Sequence, residues 1–182
     1  MNGLTLSRLP LSAKVFCTLF LLGIGAGAVA AFVQARAAVG LAPTDVRASL
    51  APEMPMTHMA PGQMSAEREI DIGEISRTAR VWIRTPLLIQ TSHTHLFGQT
   101  LIAGLLGLIF LFSSLREGLK ALILALPFAG TLVDIGGMWL TRFVWPPLAV
   151  LVVAGGSLFA LGYVLIAARS LYELWIHKET TP

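Results

Sequence analysis

Two histidines, His93 and His95, stand just before an apolar run that continues to Phe112, and Gln99 follows four residues after His95. Neutral imidazole is both a metal ligand and a proton carrier, so polar chemistry meets a lipid-like segment here. One carboxylate belongs with it. Asp134 is the only charged residue inside a long apolar run. A carboxylate in hydrocarbon costs roughly 3 kcal/mol or more, so Asp134 must face a helix bundle interior with a partner or be protonated. Counted from Leu140 it lies about 9 Å deep, and Gln99 lies about 6 Å below His95 by the same rise per residue. His95, Gln99, Thr131 and Asp134 are thus expected in one layer. Two readings of the layer stay open: a proton-transfer or ligand pocket opening outward, or a polar cluster that fixes helix register and satisfies itself.

The histidine pair is a metal candidate under one condition. On a continuous helix, residues two apart point about 200° from each other, so His93 and His95 share an ion only if the helix starts after them. Thr94 as N-cap would put His93 outside the helix. Haem ligation by two histidines needs imidazoles from two helices, and no other span holds one, so a haem would pair His95 with Met138 or with a histidine from a second protomer. A second candidate is Met54, Met56, His58 and Met59, with Met64 following. Thioether sulfur selects Cu(I) and neutral imidazole joins it well; Pro52, Pro55 and Pro61 keep the stretch from forming a regular helix. It is either a copper-collecting segment, able to pass the ion to His93 and His95, or a linker whose methionines rest on the membrane or on a neighbouring helix. Copper and haem are therefore the cofactors to test. No phosphate-cradling glycine loop, Ser-His-Asp grouping or Cys-His pair suggests hydrolytic or nucleotide-dependent chemistry.

The elements that must position these groups are set by hydropathy. Of 182 residues 55% are hydrophobic and 13% charged, with a mean hydropathy of +0.74, which describes an integral membrane protein. The net charge of +3 comes from basic residues that flank apolar segments instead of forming a stripe, so they read as orientation signals and not as a nucleic-acid surface. Cys17 is the only cysteine, which leaves no intramolecular disulfide and no cysteine-based metal cluster. Apolar runs at about 15–34, 93–113, 121–140 and 148–168 each approach the roughly 20 residues that cross a hydrocarbon core. The expected fold is an all-α, integral membrane four-helix bundle forming one domain over 1–182.

Residues 35–90 would make an extracytoplasmic loop. Within it Ser65, then Ile72, Ile75, Ala79 and Trp82 with Arg77, Arg80 and Arg84, describe an amphipathic helix that lies on the membrane surface or packs on the helix ends. The first run is either a retained span or a signal peptide cleaved near Ala28-Val29-Ala30; its length and Gly23-xxx-Gly27 favour retention. Pro86 can open the second span's helix as its N1 residue. Ala103-xxx-Gly107 and Gly156-xxx-Ala160 offer close helix-packing faces. Arg8, Lys14, Arg116, Lys120, Arg169 and Lys178 gather on one side against Arg142 alone in the short loop on the other, which puts both termini in the cytoplasm.

Three motifs occur in order: His93-Thr94-His95-Leu96-Phe97 at the head of the second span, Asp134-Ile135-Gly136-Gly137-Met138-Trp139-Leu140 closing the third, and Ser170-Leu171-Tyr172-Glu173-Leu174-Trp175 after the fourth. The combination resembles a family of small bacterial four-helix inner-membrane proteins, over most of the chain from His93 to Trp175. The resemblance implies a four-span fold in a bacterial inner membrane and attaches no activity to it. The leading expectation is a non-enzymatic membrane protein that binds a metal or redox cofactor, or helps deliver it, at the extracytoplasmic face. The alternative is an accessory or assembly subunit of a larger membrane complex, respiratory or electron-transferring, with a purely structural polar layer. A proton-coupled transporter using Asp134 is a third reading and would need a homodimer.

Overall fold

The computed structural model describes residues 5–51 and 83–177. The amphipathic helix expected over 65–84 and the candidate ligands Met54, Met56, His58 and Met59 fall on 52–82, outside the described residues. Five α-helices are described: α1 (Leu11–Ala38), α2 (Pro43–Leu50), α3 (Thr85–Phe110), α4 (Glu117–Phe143) and α5 (Ala149–Trp175), with 3-10 turns at Leu6–Arg8 and Pro146–Leu148. Four of them are long and apolar enough to cross a membrane, α5 together with the turn before it. The protein is an all-α, multi-pass membrane bundle. Local chemistry explains the helix ends: Pro86 sits in the first turn of α3, where a missing N–H costs nothing, and α4 carries Glu117 in its first turn and Arg142 in its last, each matching the helix dipole.

Leu6, the start of α1, the end of α5 and the turn between α3 and α4 lie at one end of the bundle, here the terminal end. The α2 segment, the roots of 52–82 and the turn between α4 and α5 lie at the other, the loop end. Sequential helices run antiparallel, and the closest approach is between α4 and α5. A Cβ on Gly130 would stand 2.5 Å from the backbone N of Phe159, one on Gly137 2.8 Å from that of Val152, and one on Gly162 2.6 Å from Pro127 Cδ. Side chains at these positions would push the helices apart. The contact glycines recur seven residues apart, at Gly130 and Gly137 on α4 and at Gly155 and Gly162 on α5.

The small-residue faces expected from sequence divide accordingly. Ala103 and Gly107 are buried, with Gly107 against Leu124, as the spacing predicts. Gly156 and Ala160 are exposed, and Gly156 has open space around it, because the buried seam of α5 passes through the preceding residue, Gly155. Gly23 and Gly27 also face open space; the close contact of α1 is at Gly25, against the Tyr163 hydroxyl.

Helix α1 is held along its terminal half only. Tyr163 donates to Leu21 O at 2.8 Å and Trp175 Nε1 donates to Thr18 Oγ1 at 2.9 Å. Leu21 packs with Leu106, Phe110, Ile123 and Ile166, while Leu6, Cys17 and Leu174 make a smaller cluster at the terminal end. From Ala26 to Ala37 every residue of α1 is exposed.

Candidate functional site

Helix α3 begins at Thr85, well before the histidines, so His93 and His95 both lie on continuous helix. Thr94 is not a cap: its hydroxyl donates back to Gln90 O at 2.7 Å. The two imidazoles therefore diverge. His93 lies exposed with its ring 4.8 Å from that of Phe97, whereas His95 turns towards α4 and brings Nδ1 to 3.8 Å from Asp134 Oδ2. The condition for a shared ion is not met, for the reason helical periodicity gives.

Three of the expected layer residues present unsatisfied or buried acceptors. Asp134 is 5% exposed, on the α4 face that meets Gly155. His95 Nδ1 and Gln99 Oε1 are shielded from solvent and have no hydrogen-bond partner among the described residues. The fourth, Thr131, is buried about one turn deeper on the same helix as Asp134, and its hydroxyl is engaged there, donating to Pro127 O at 3.0 Å. Buried polar atoms are ordinarily paired; among the described residues Ser49 Oγ and Ser170 Oγ share this state, and His95 Nδ1 is the one of the four that faces a buried carboxyl within 4 Å. The separation of 3.8 Å between Nδ1 and Oδ2 is too long for a hydrogen bond. Two ligands of one small ion at bond lengths of about 2.1 Å would subtend about 130° at this separation, so the pair would close by about 0.4 Å to reach a tetrahedral angle. Among the described residues no group of three His, Cys, Asp or Glu side chains comes together to hold a metal. Met138, the partner a haem on His95 would need, is packed among Val46, Leu50, Leu88 and Ala149.

That packing also decides where the layer opens. Met138 and Leu88 both lie on the loop-end side of Asp134 and His95, and α2 closes over them through Val46 and Leu50. Trp139 ties α4 to α3 there by donating from Nε1 to Ser92 Oγ at 2.8 Å. One turn further, Arg142 donates to Leu50 O at 3.2 Å, to Ala51 O, to Ile83 O at 3.4 Å and to Thr85 Oγ1 at 3.4 Å. Far from lying in a tight loop as its neighbours suggest, this arginine is a buried part of α4 that joins both roots of 52–82, helped by the Ile83 N–H to Ser49 O bond at 2.9 Å. Among the described residues the layer is thus covered towards the loop end, contrary to a pocket opening outward along the bundle axis. Its open side is lateral: 42% of the His95 side chain remains exposed, and the adjacent Gly98 has nothing within 4 Å of where a Cβ would be.

A second polar centre at the terminal end was not evident from sequence. Glu173, 1% exposed, accepts from Ser113 Oγ at 2.7 Å, from Ser114 N at 2.8 Å and from Ser114 Oγ at 3.0 Å, and pairs with Arg169 Nε at 2.7 Å. Arg169 also donates to Ser114 Oγ at 3.2 Å. The signal available was the i, i+4 spacing of Arg169 and Glu173, masked because these residues read as a tail beyond the last span.

No curated protein and no solved structure matches the chain. A family model does, and it begins where α3 begins, leaving α1 and α2 outside the match. With residues 85–181, more than half of the sequence, matching the Aq_1264_TM model of a transmembrane helical domain, this chain belongs to that family.

Proposed function

We propose that the protein is a non-enzymatic membrane protein that binds a metal or redox cofactor in the His95–Gln99–Asp134 layer, or helps deliver it. The observation that carries this reading is the pair of buried acceptors without a hydrogen-bond partner among the described residues, His95 Nδ1 and Gln99 Oε1, the first of them 3.8 Å from the buried Asp134 carboxyl. A layer serving only helix register would be expected to satisfy itself. The clustering of Arg8, Lys14, Arg116, Lys120 and Arg169 at the terminal end supports a bacterial inner membrane with that end cytoplasmic and the layer in the opposite leaflet.

Elemental analysis and a visible spectrum of protein purified from its native membrane in mild detergent test the reading. Bound copper, another transition metal or an organic chromophore, lost in His95→Ala and in Asp134→Asn while both variants stay folded, is the expected result. Cofactor content unchanged in both variants would sink the assignment.

An accessory or assembly subunit is the second reading, favoured by one feature: nearly half of α1, from Ala26 to Ala37, is exposed, with no contact from the other described residues that buries it. Extraction in a gentle detergent should then yield a larger complex, and its dissociation should follow bulky substitutions on that half-helix.

A further inference from the structure

The unexplained features of the layer are its closed axis, its open flank and its shortage of ligands. Towards the loop end lie Met138, Leu88, Val46 and Leu50, and towards the terminal end lie Leu106, Phe110, Ile123, Leu21 and Ile166. An ion travelling along the bundle axis would cross one of two packed apolar clusters, where it has no partners. The flank of α3 is different. His95 Nδ1 contributes no exposed surface, so the exposed part of the ring is its other edge, which carries Nε2. Beside it Gly98, one turn deeper on the same face, leaves a notch where any other residue would project a side chain. Leu96, Phe97 and Leu101 on this stretch of helix are exposed apolar residues. Taking the Ser92–Trp139 bridge as the interfacial level, His95 lies about 4.5 Å deeper, one helical turn below the aromatic belt.

A ligand that reaches His95 by this route comes from the hydrocarbon, so it is neutral and largely apolar, with a polar head able to engage an imidazole. Imidazole with a carboxyl behind it suits one kind of head in particular. In the neutral ring's Nε2–H tautomer, Nδ1 faces the Asp134 carboxyl as an acceptor and Nε2–H donates outwards; in the Nδ1–H tautomer, Nδ1–H faces that carboxyl and Nε2 becomes the acceptor. Passing from the first to the second takes a proton up at Nδ1 from Asp134 and gives one up from Nε2 to the ligand. Such an edge can donate to a carbonyl oxygen or accept from a hydroxyl without either partner carrying a net charge. We propose that the layer is a lateral, membrane-entered binding site for a lipid-soluble quinone or its hydroquinone, seated in the Gly98 notch on the Nε2 edge of His95, with Asp134 as the proton-bearing group behind the ring. This rests on the reading of the layer as a cofactor site and narrows the cofactor to an organic, lipid-borne class. The inference concerns binding; no electron acceptor or donor is assigned.

The test uses the full chain in quinone-free lipid nanodiscs, titrated with decylubiquinone and with its hydroquinone, and read by quenching of tryptophan fluorescence, since Trp139 is bonded to Ser92 one turn from His95. Saturable binding is expected, weakened about tenfold in His95→Ala, the scale of one lost hydrogen bond in a low-dielectric site. Gly98→Leu guards against trivial unfolding: it replaces a helix-interior glycine with a strong helix former in open space, so it should leave the fold at least as stable while abolishing saturable quenching. His177→Ala, at the far end of the bundle, should bind as the parent does. Saturable binding that survives both His95→Ala and Gly98→Leu would overturn the site. Copper or zinc binding that depends on His95 and Asp134, with no saturable quinone binding, would overturn this inference and leave the cofactor reading standing; neither ligand binding would overturn both.

Discussion

Among the described residues the bundle carries two buried carboxyls, and their surroundings are opposites. Glu173 at the terminal end is saturated: two serine hydroxyls, a backbone N–H and a guanidinium surround it, and they tie the turn after α3 to the end of α5. Asp134, 5% exposed in the loop-end half, has an imidazole at 3.8 Å whose Nδ1 finds no hydrogen-bond partner among the described residues. A polar cluster whose task is structural looks like the first, because a partly satisfied network is worse for stability than an apolar core. The contrast is what makes the Asp134 layer a candidate site and the Glu173 cluster a fastening.

The contrast predicts unequal costs of substitution. Glu173→Ala strands Ser113, Ser114 and Arg169 together, and the loss should be the largest of any single polar change here. About 3 kcal/mol is expected, at the low end for a broken buried pair because Arg169 is partly exposed. Unfolding in mixed detergent, followed by circular dichroism, measures it, and a cost below about 1 kcal/mol would remove the structural role and with it the comparison.

Next in size is the helix seam that sets the position of Asp134. A methyl on Gly155 would fall on the backbone N of Asp134 and 2.6 Å from its Cα, so Gly155→Ala must separate α4 from α5. A cost of about 1–3 kcal/mol follows, together with weaker ligand binding as Asp134 shifts from His95. Gly156→Ala, one residue along and in open space, should be neutral or stabilising by up to about 1 kcal/mol. The same unfolding assay separates the two, and equal effects would show that the seam is not where the glycines place it.

This pair also marks how far the sequence could be read. Hydropathy was sufficient for four apolar helices, since lipid imposes length and composition directly. Asp134 could be singled out because a charge in such a run is rare, and His95 and Gln99 joined it by helical spacing alone. The seam was not legible. A search for small residues four apart selects Gly156 with Ala160, while the contact uses glycines seven apart, and only the facing helix tells which of two adjacent glycines is buried. Helix starts were legible only in part: Pro86 signals one, yet the histidines could be placed outside or inside the helix until Thr85 was seen to begin it. The roles of Arg142 and Glu173 depend on partners some 60 or more residues away, at Ile83, Leu50 and Ser113, a distance that no local pattern spans.

The smallest expected effects on stability fall in the candidate site, and there they are the most informative. Asp134→Asn keeps the shape of the side chain and removes a carboxyl whose facing imidazole stands at 3.8 Å, beyond hydrogen-bond distance, so stability should change by no more than about 1 kcal/mol in either direction. His93→Ala trims a ring that touches Phe97 at the surface and should change it by about 0.5 kcal/mol or less. The two variants then diverge in a second measurement. Titration with decylubiquinone, or with copper, should show binding weakened about tenfold by Asp134→Asn and unchanged by His93→Ala, because His93 points away from the layer that His95 enters. Were Asp134→Asn instead to cost as much stability as Glu173→Ala, both carboxyls would be fastenings, and the loop-end layer would hold helices together and nothing else.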